Sequence, residues 1–197
     1  MSHHLYHTPG FILGSHVSGE ANRVFRIFTK DLGLVRATAQ GVRYLKSKLR
    51  YSLQDFSYVD LSLVRGQEVW RITGAVKKDD LFTVFREDSY MLTVFSRVFS
   101  LLERLLSGEE KNERLWQYLE EAVLFAVSKK RSAELIRNFE YILVLRILGS
   151  LGYLGQSPET FTFVESPYWS EELLVGLNES IPLVVGEINK SLRETQL

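Results

Sequence analysis

The hydrophobic period of this chain changes once, near residue 80, and that change limits its possible folds more than any other feature. From Pro9 to Lys78 apolar residues come in short alternating or continuous runs broken by turn residues, whereas from about Asp80 they recur every three or four positions. Strands followed by helices, rather than strands alternating with them, make an α+β chain: an all-β part, then an all-α part. The first part offers five strand candidates, Phe11–Val17, Val24–Lys30, Leu34–Gln40, Leu53–Val64 and Val69–Lys77. β-Branched and aromatic residues fill them, as in Val24-Phe25-Arg26-Ile27-Phe28 and Val69-Trp70-Arg71-Ile72, which suits a pleated, half-buried surface. Five short strands bury a core and protect their edges only by closing or nearly closing, and a five-stranded barrel of the OB type is the natural solution. Spacing alone also admits an SH3-like barrel.

In the second part Tyr90, Val94, Phe95, Val98, Leu101, Leu102 and Leu105 lie on one helical face, with Gly108 as a stop. Further helices are expected over 110–128 and 132–148, the latter ended by Gly149, Gly152 and Gly155, and over 170–178 and 182–192. Ser170 before Glu171 and Glu172 reads as an N-terminal cap, and Pro182 fits a first turn. The stretch Gln156–Tyr168, holding Pro158 and Pro167, reads as an extended linker.

Several function classes find no parts here. The chain has no cysteine, which removes thiolate metal sites, disulfides and cysteine nucleophiles together. The four histidines, His3, His4, His7 and His16, all fall in the first sixteen residues, three of them in what reads as a frayed tail rather than a metal site. No HExxH, GxSxG or GxxxxGK[ST] occurs, so no enzyme and no cofactor are expected. No run of about 18 apolar residues and no secretory leader is visible, and the expectation is a cytoplasmic protein with no membrane partner.

Charge supplies the positive signal. The overall balance of 24 basic and 24 acidic residues cancels two opposite halves: residues 1–80 carry 12 Lys/Arg against 7 Asp/Glu, and residues 81–197 carry 12 against 17. From Leu32 to Gln54 there are five cations, Arg36, Arg43, Lys46, Lys48 and Arg50, and no acid. A charge run is most often a solvated face. Here aromatics interleave with it, Tyr44 after Arg43 and Tyr51 after Arg50, which combines attraction for phosphates with surfaces on which bases stack. A protein–protein adaptor whose basic loop grips an acidic partner is the competing reading, and the residues alone do not separate DNA from RNA.

The ordered runs Gly10-Phe11-Ile12-Leu13, Gly19-Glu20-Ala21-Asn22-Arg23, Ile27-Phe28-Thr29-Lys30-Asp31-Leu32-Gly33 and Ala39-Gln40-Gly41-Val42-Arg43-Tyr44-Leu45-Lys46-Ser47-Lys48-Leu49 resemble the amino-terminal domain of the RecO family of bacterial DNA repair proteins. A later pair, Ile136-Arg137-Asn138-Phe139-Glu140 and Leu148-Gly149-Ser150-Leu151-Gly152-Tyr153, is similar to that family's helix with its Leu-Gly-Tyr turn. The resemblance covers about residues 1–155. It implies an OB-fold DNA-binding domain over 1–80 and a helical domain over 81–197, with 156–168 a linker where many members carry a four-cysteine zinc module. It further implies a non-enzymatic recombination mediator of the RecFOR pathway, at the nucleoid. Such a protein binds single- and double-stranded DNA, anneals complementary strands and helps load RecA onto DNA covered by single-stranded DNA-binding protein. Its implied partners are RecR, in some members RecF, RecA indirectly, and the acidic tail of single-stranded DNA-binding protein. The expected DNA surface comprises Arg23, Lys30, Arg36, Arg43, Tyr44, Lys46, Lys48 and Arg50. For the tail, Arg137, Phe139 and Arg146 are the candidates in the helical part, since guanidinium suits carboxylates.

Overall fold

Alternation of large apolar with polar residues makes the first part a sheet, and pairing at both ends of its first strand makes the sheet a barrel. The computed structural model describes residues 4–155, 157–166 and 168–195. The strands are β1 (Leu5–Ser18), β2 (Asn22–Thr29), β3 (Gly33–Ala39), β4 (Ser57–Arg65) and β5 (Trp70–Asp80), with a helical turn α1 (Leu49–Ser52) between β3 and β4 and another, α2 (Leu81–Val84), after β5. The fourteen-residue β1 pairs through Gly10–Ser18 with β2 and through Leu5–Phe11 with β4. A register shift between Ile12 and Gly14 marks the bulge at which β1 bends from one neighbour to the other. β3 meets β5 in a short parallel ladder, Ala37 opposite Trp70 and Thr38 opposite Arg71, which closes the order β1-β2-β3-β5-β4 back onto β1. That closed order is the OB-fold and settles the choice against an SH3-like barrel.

Ile12, Phe25, Ile27, Val35, Ala37, Val59, Leu61, Leu63, Trp70 and Ile72 fill the barrel, joined by Val42 and Leu53 from the two ends of the β3–β4 connection. Helix α3 (Ser89–Leu105) is continuous, but its last residues, with the loop to Asn112, group with the barrel. They fasten to its outside: Phe99 stacks on Phe56 at 5.4 Å, Glu103 pairs with Arg26 at 3.0 Å, and Gly108 O accepts the Leu34 N–H. Gly33 is needed at that strap, because at φ 71 any Cβ would lie 2.3 Å from Glu110 O.

The other compact unit comprises Asp88–Val98 with the chain from Glu113 onward. It contains α4 (Glu113–Ser128), α5 (Ala133–Ser150), α6 (Pro158–Glu165), α7 (Glu171–Gly176), a 3₁₀ turn (Asn178–Ser180) and α8 (Ile181–Glu194). α5 is the centre, touching α4, α6, α7 and α8, and Ile136, Phe139, Ile142, Leu143, Leu145, Ile147 and Leu148 are buried along it. Ser132 and Ser170 cap α5 and α7 by accepting the N–H groups of Leu135 and Leu173. Gly152, at φ 77, turns the chain out of α5, while Gly149 stays inside the helix and admits Val164 of α6, which a Cβ would meet at 3.0 Å.

Three expectations need correction. Residues 5–7 are not frayed: they belong to β1, where His7 Nδ1 meets Ser62 Oγ at 3.1 Å, because strand pairing with β4 overrides a polar sequence. His4 packs edge-on against Tyr6, and His3 lies outside the described residues. The stretch 156–168 is not simply extended, since Pro158 at a first turn starts α6 and buries Phe163 and Val164; Gln156 and Pro167 lie outside the described residues. Finally, the run Leu53–Val64 is not one strand. Phe56 has a φ of 66, a sharp turn for a bulky residue, and the strand starts only at Ser57.

Among the described residues no helix is long and apolar enough to cross a membrane, and no group of three or more His, Asp or Glu side chains is placed to hold a metal ion.

Candidate nucleic-acid interface

The β3–β4 connection is anchored at both ends, and between them Leu49 of α1 also packs against the barrel core. Gly41, at φ 64, makes the turn out of β3, and its N–H donates to Asn22 Oδ1 at 2.9 Å. Val42 then enters the barrel, and Arg43 fastens the connection to the β1–β2 turn: its backbone N–H donates to Ala21 O at 3.0 Å and its Nη1 to Glu20 O at 2.8 Å. At the far end Leu53 turns back into the core. Between these plugs stand Tyr44, Leu45 and Tyr51, exposed at 63%, 82% and 72%. Arg43, Lys46, Lys48 and Arg50, all exposed, surround them. Three large apolar side chains held in water within eight residues form a patch rather than scattered surface residues. Their cationic setting suits a ligand with negative charge and flat apolar faces.

Beside the loop lies a cleft of about 500 Å³ lined by Ser15, Arg23, Val42, Arg43, Arg50, Leu53, Gln54 and Asp55. Strand pairing sets its floor, because Arg23 at the start of β2 lies opposite Val17 of β1 and Ala39 of β3. Arg23 Nη2 donates to Ser15 Oγ at 2.6 Å, and Ser15 Oγ donates to Asp55 Oδ1 at 2.6 Å. Arg23 and Asp55 themselves are 4.0 Å apart, and the buried Arg23 Nε has no hydrogen-bond partner.

Of the eight residues put forward from the sequence, Arg23, Arg43 and Arg50 share this cleft, and Tyr44, Lys46 and Lys48 stand on the adjoining loop. Lys30 and Arg36 do not join them. Lys30 follows the opposite end of β2, seven residues or about 23 Å along the strand from Arg23. Arg36 is exposed on the outer barrel face opposite Arg26, where Thr38 also pairs with Arg71 of β5. Leu45, Tyr51 and Arg71 belong to these surfaces and were not put forward as site residues. Tyr51 carries the same cation-next-to-aromatic signal as Tyr44, whereas no sequence pattern sets Leu45 or Arg71 apart.

In the helical unit, Arg137 is exposed and lines a cleft of about 690 Å³ with Tyr90, Val94, Arg97, Ile136 and Glu140. Arg97 is paired with Glu140 there at 3.2 Å. Phe139 and Arg146 are at 0% exposure. Phe139 packs among Phe95, Phe125 and Trp169, and Arg146 binds backbone carbonyls, so burial takes both away from any solvent-borne tail. Asn138, within the same sequence run, is likewise structural: its Nδ2 donates to Leu174 O at 2.9 Å and to Asn178 Oδ1 at 2.6 Å, tying α7 to α5.

Barrel topology and loop together define an OB-fold protein with a cationic, aromatic-bearing connection at the barrel mouth, followed by a helical unit. Residues 1–78 match the family described as Recombination protein O N terminal. The chain is also similar to the DNA repair protein RecO of Alkaliphilus metalliredigens (strain QYMF), at 32% identity over 143 residues. That match takes in 71% of this chain and 57% of the relative, so the chain spans somewhat more than half the length of the curated protein it matches. Residues 1–78 are thus an amino-terminal OB domain of the RecO kind, and similarity to that family continues beyond them.

Proposed function

We propose that this chain acts in DNA repair and recombination by binding single- and double-stranded DNA and annealing complementary strands. The observation that carries the reading is the β3–β4 connection, with three exposed apolar side chains ringed by cations on an OB barrel. Annealing needs no covalent step. Cations screen the repulsion between two phosphate backbones, and stacking on Tyr44 and Tyr51 keeps bases unpaired until complements meet, each stack contributing roughly 1–3 kcal/mol. The relative named DNA repair protein RecO supports the biological setting.

The finer role follows from the same family resemblance: with RecR, and RecF where present, the chain would help RecA replace single-stranded DNA-binding protein, in the cytoplasm at the nucleoid. The acidic tail of single-stranded DNA-binding protein would meet the helical unit at the cleft bearing Arg137, the exposed member of the three residues put forward for it.

Fluorescence anisotropy with a labelled single-stranded oligonucleotide at rising salt, run beside a complementary-strand annealing assay, tests the proposal. Tight binding at low salt, a steep salt dependence and faster annealing are expected. Absence of binding at low salt would sink it and favour an adaptor, and tighter binding to RNA of the same sequence would redirect it.

A further inference from the structure

We infer that the cleft beside the loop seats a backbone phosphate of the bound strand and that Asp55 is the resident competitor for that seat. The inference rests on the DNA-binding reading and specifies one of its contacts.

The cleft carries three arginines, Arg23, Arg43 and Arg50, against one acid, Asp55. A surplus of guanidinium in a concave site attracts an oxyanion with two or more acceptor oxygens. Arg43 spends hydrogen bonds on the carbonyls of Gly19 and Glu20, which pins it at the rim, and Arg50 has no acidic partner among the described residues. Arg23 is partnered but poorly satisfied. It reaches a neutral hydroxyl, sits at the limit of ion pairing with Asp55, and leaves Nε without an acceptor. A guanidinium fork is best matched by two oxygens of a single phosphate. Asp55 supplies negative charge where such a phosphate would sit, and it does so through Ser15, which donates to Asp55 while accepting from Arg23.

The position of Asp55 is imposed by the fold. It precedes Phe56, whose left-handed backbone is fixed by its N–H on Ile12 O at 3.0 Å, by its carbonyl accepting from Leu81, and by stacking on Phe99. The carboxylate is therefore delivered to the cleft whether or not a ligand is present. Both Arg23 and Asp55 remain more than one-third exposed, so their attraction is screened and weak enough for a phosphate to displace. In this arrangement Asp55 keeps Arg23 oriented in the empty protein and weakens capture of isolated anions. A polynucleotide overcomes the competition because the loop cations hold its neighbouring phosphates.

Affinity for a fluorescent oligothymidine, measured on the full chain at low salt, tests this through a double-mutant cycle. Asp55→Asn retains an acceptor for Ser15 and should tighten binding roughly fivefold, the upper range for an exposed pair. In an Arg23→Gln background the same change should gain less than about twofold, since there is no longer a guanidinium to release. Ser15→Ala leaves net charge untouched, breaks the relay, and should tighten binding by roughly twofold. Thermal melts of each variant establish that it is folded, and Ser15→Ala decides the matter if Asp55→Asn is not. Equal gains in both backgrounds would reduce Asp55 to general electrostatics and overturn the inference, as would no gain from Asp55→Asn or Ser15→Ala. In either case salt-dependent binding by the unsubstituted chain leaves the DNA reading standing. Failure of the unsubstituted chain to bind at all would remove both.

Discussion

Arg146 shows how a single charged residue can serve the fold where its sequence neighbourhood suggests a surface role. Its Nε donates to Phe163 O at 3.0 Å and its Nη2 to Ser166 O at 2.8 Å and Tyr168 O at 3.3 Å, while the guanidinium lies 4.1 Å from the Trp169 ring centroid. Burial lowers its pKa from the ordinary guanidinium range to about 10, against the opposing pull of Tyr118 and Glu121. The unfolded chain therefore holds this proton more tightly, and ionisation of Arg146 opposes folding at neutral pH. What retains the charge is the set of carbonyls at and just beyond the end of α6, of which that of Tyr168 also accepts from Ser166 Oγ at 3.2 Å. Arg146→Leu should thus destabilise the chain by about 2–3 kcal/mol despite removing a buried charge, because it strands those carbonyls. Denaturant unfolding measures it, and a variant as stable as the parent would mean that solvent satisfies them instead. The helical spacing of Arg137, Phe139 and Arg146 was legible in the sequence. That α5 is covered nearly all round was not, since it depends on α6 and α7 packing from beyond residue 157. The Ser15–Asp55 bond was illegible for a related reason, its partners being 40 residues apart.

At the scale of elements, the junction between β5 and α2 is held by Asp80, which accepts from Thr83 N–H as an N-cap and pairs with Lys77 at 3.3 Å. Burial pushes its carboxyl up, but the Lys77 ammonium and the hydrogen bonds from Lys77 and Thr83 together outweigh that and leave it below its ordinary value of 3.8. A depressed carboxyl contributes stability that is complete above the unfolded value and disappears as pH falls through the folded one. Asp80→Asn should accordingly cost about 1 kcal/mol at neutral pH and almost nothing once the pH is well below 3.8, so that the two stability curves converge in acid. Parallel curves down to that range would show that the contribution is not ionic. Element types followed from the period change, because a five-strand pattern and a helical pattern bury different faces. Boundaries followed less well. Leu5–Thr8 became strand by pairing with β4, and Leu53-Gln54-Asp55-Phe56 left the strand because Leu53 plugs the barrel while Phe56 turns back on Ile12 and Phe99.

For the whole molecule the decisive quantity is where charge sits rather than how much there is, since the net charge is zero. A polyanion attracted by that zero would have no preferred surface, whereas one attracted by the β3–β4 connection meets four exposed cations within eight residues. Two charge reversals of equal size separate these cases. If Lys46 and Lys48 each hold one phosphate as proposed, Lys46→Glu with Lys48→Glu removes two such contacts, and at about 0.7 per contact for single strands the slope of log affinity against log salt should flatten by roughly 1.4. The consequence is quantitative: between about 50 and 200 mM salt the deficit of this variant should shrink roughly sevenfold, because a fourfold change in salt acts through that difference in slope. Lys190→Glu with Arg193→Glu alters net charge identically on exposed positions of α8 and should change affinity by less than about twofold at either salt. Equal losses from the two pairs would mean that the strand follows net charge and that the connection has no special part in holding it. A loss confined to the first pair, flattening with salt as calculated, ties binding to the cationic mouth of the barrel.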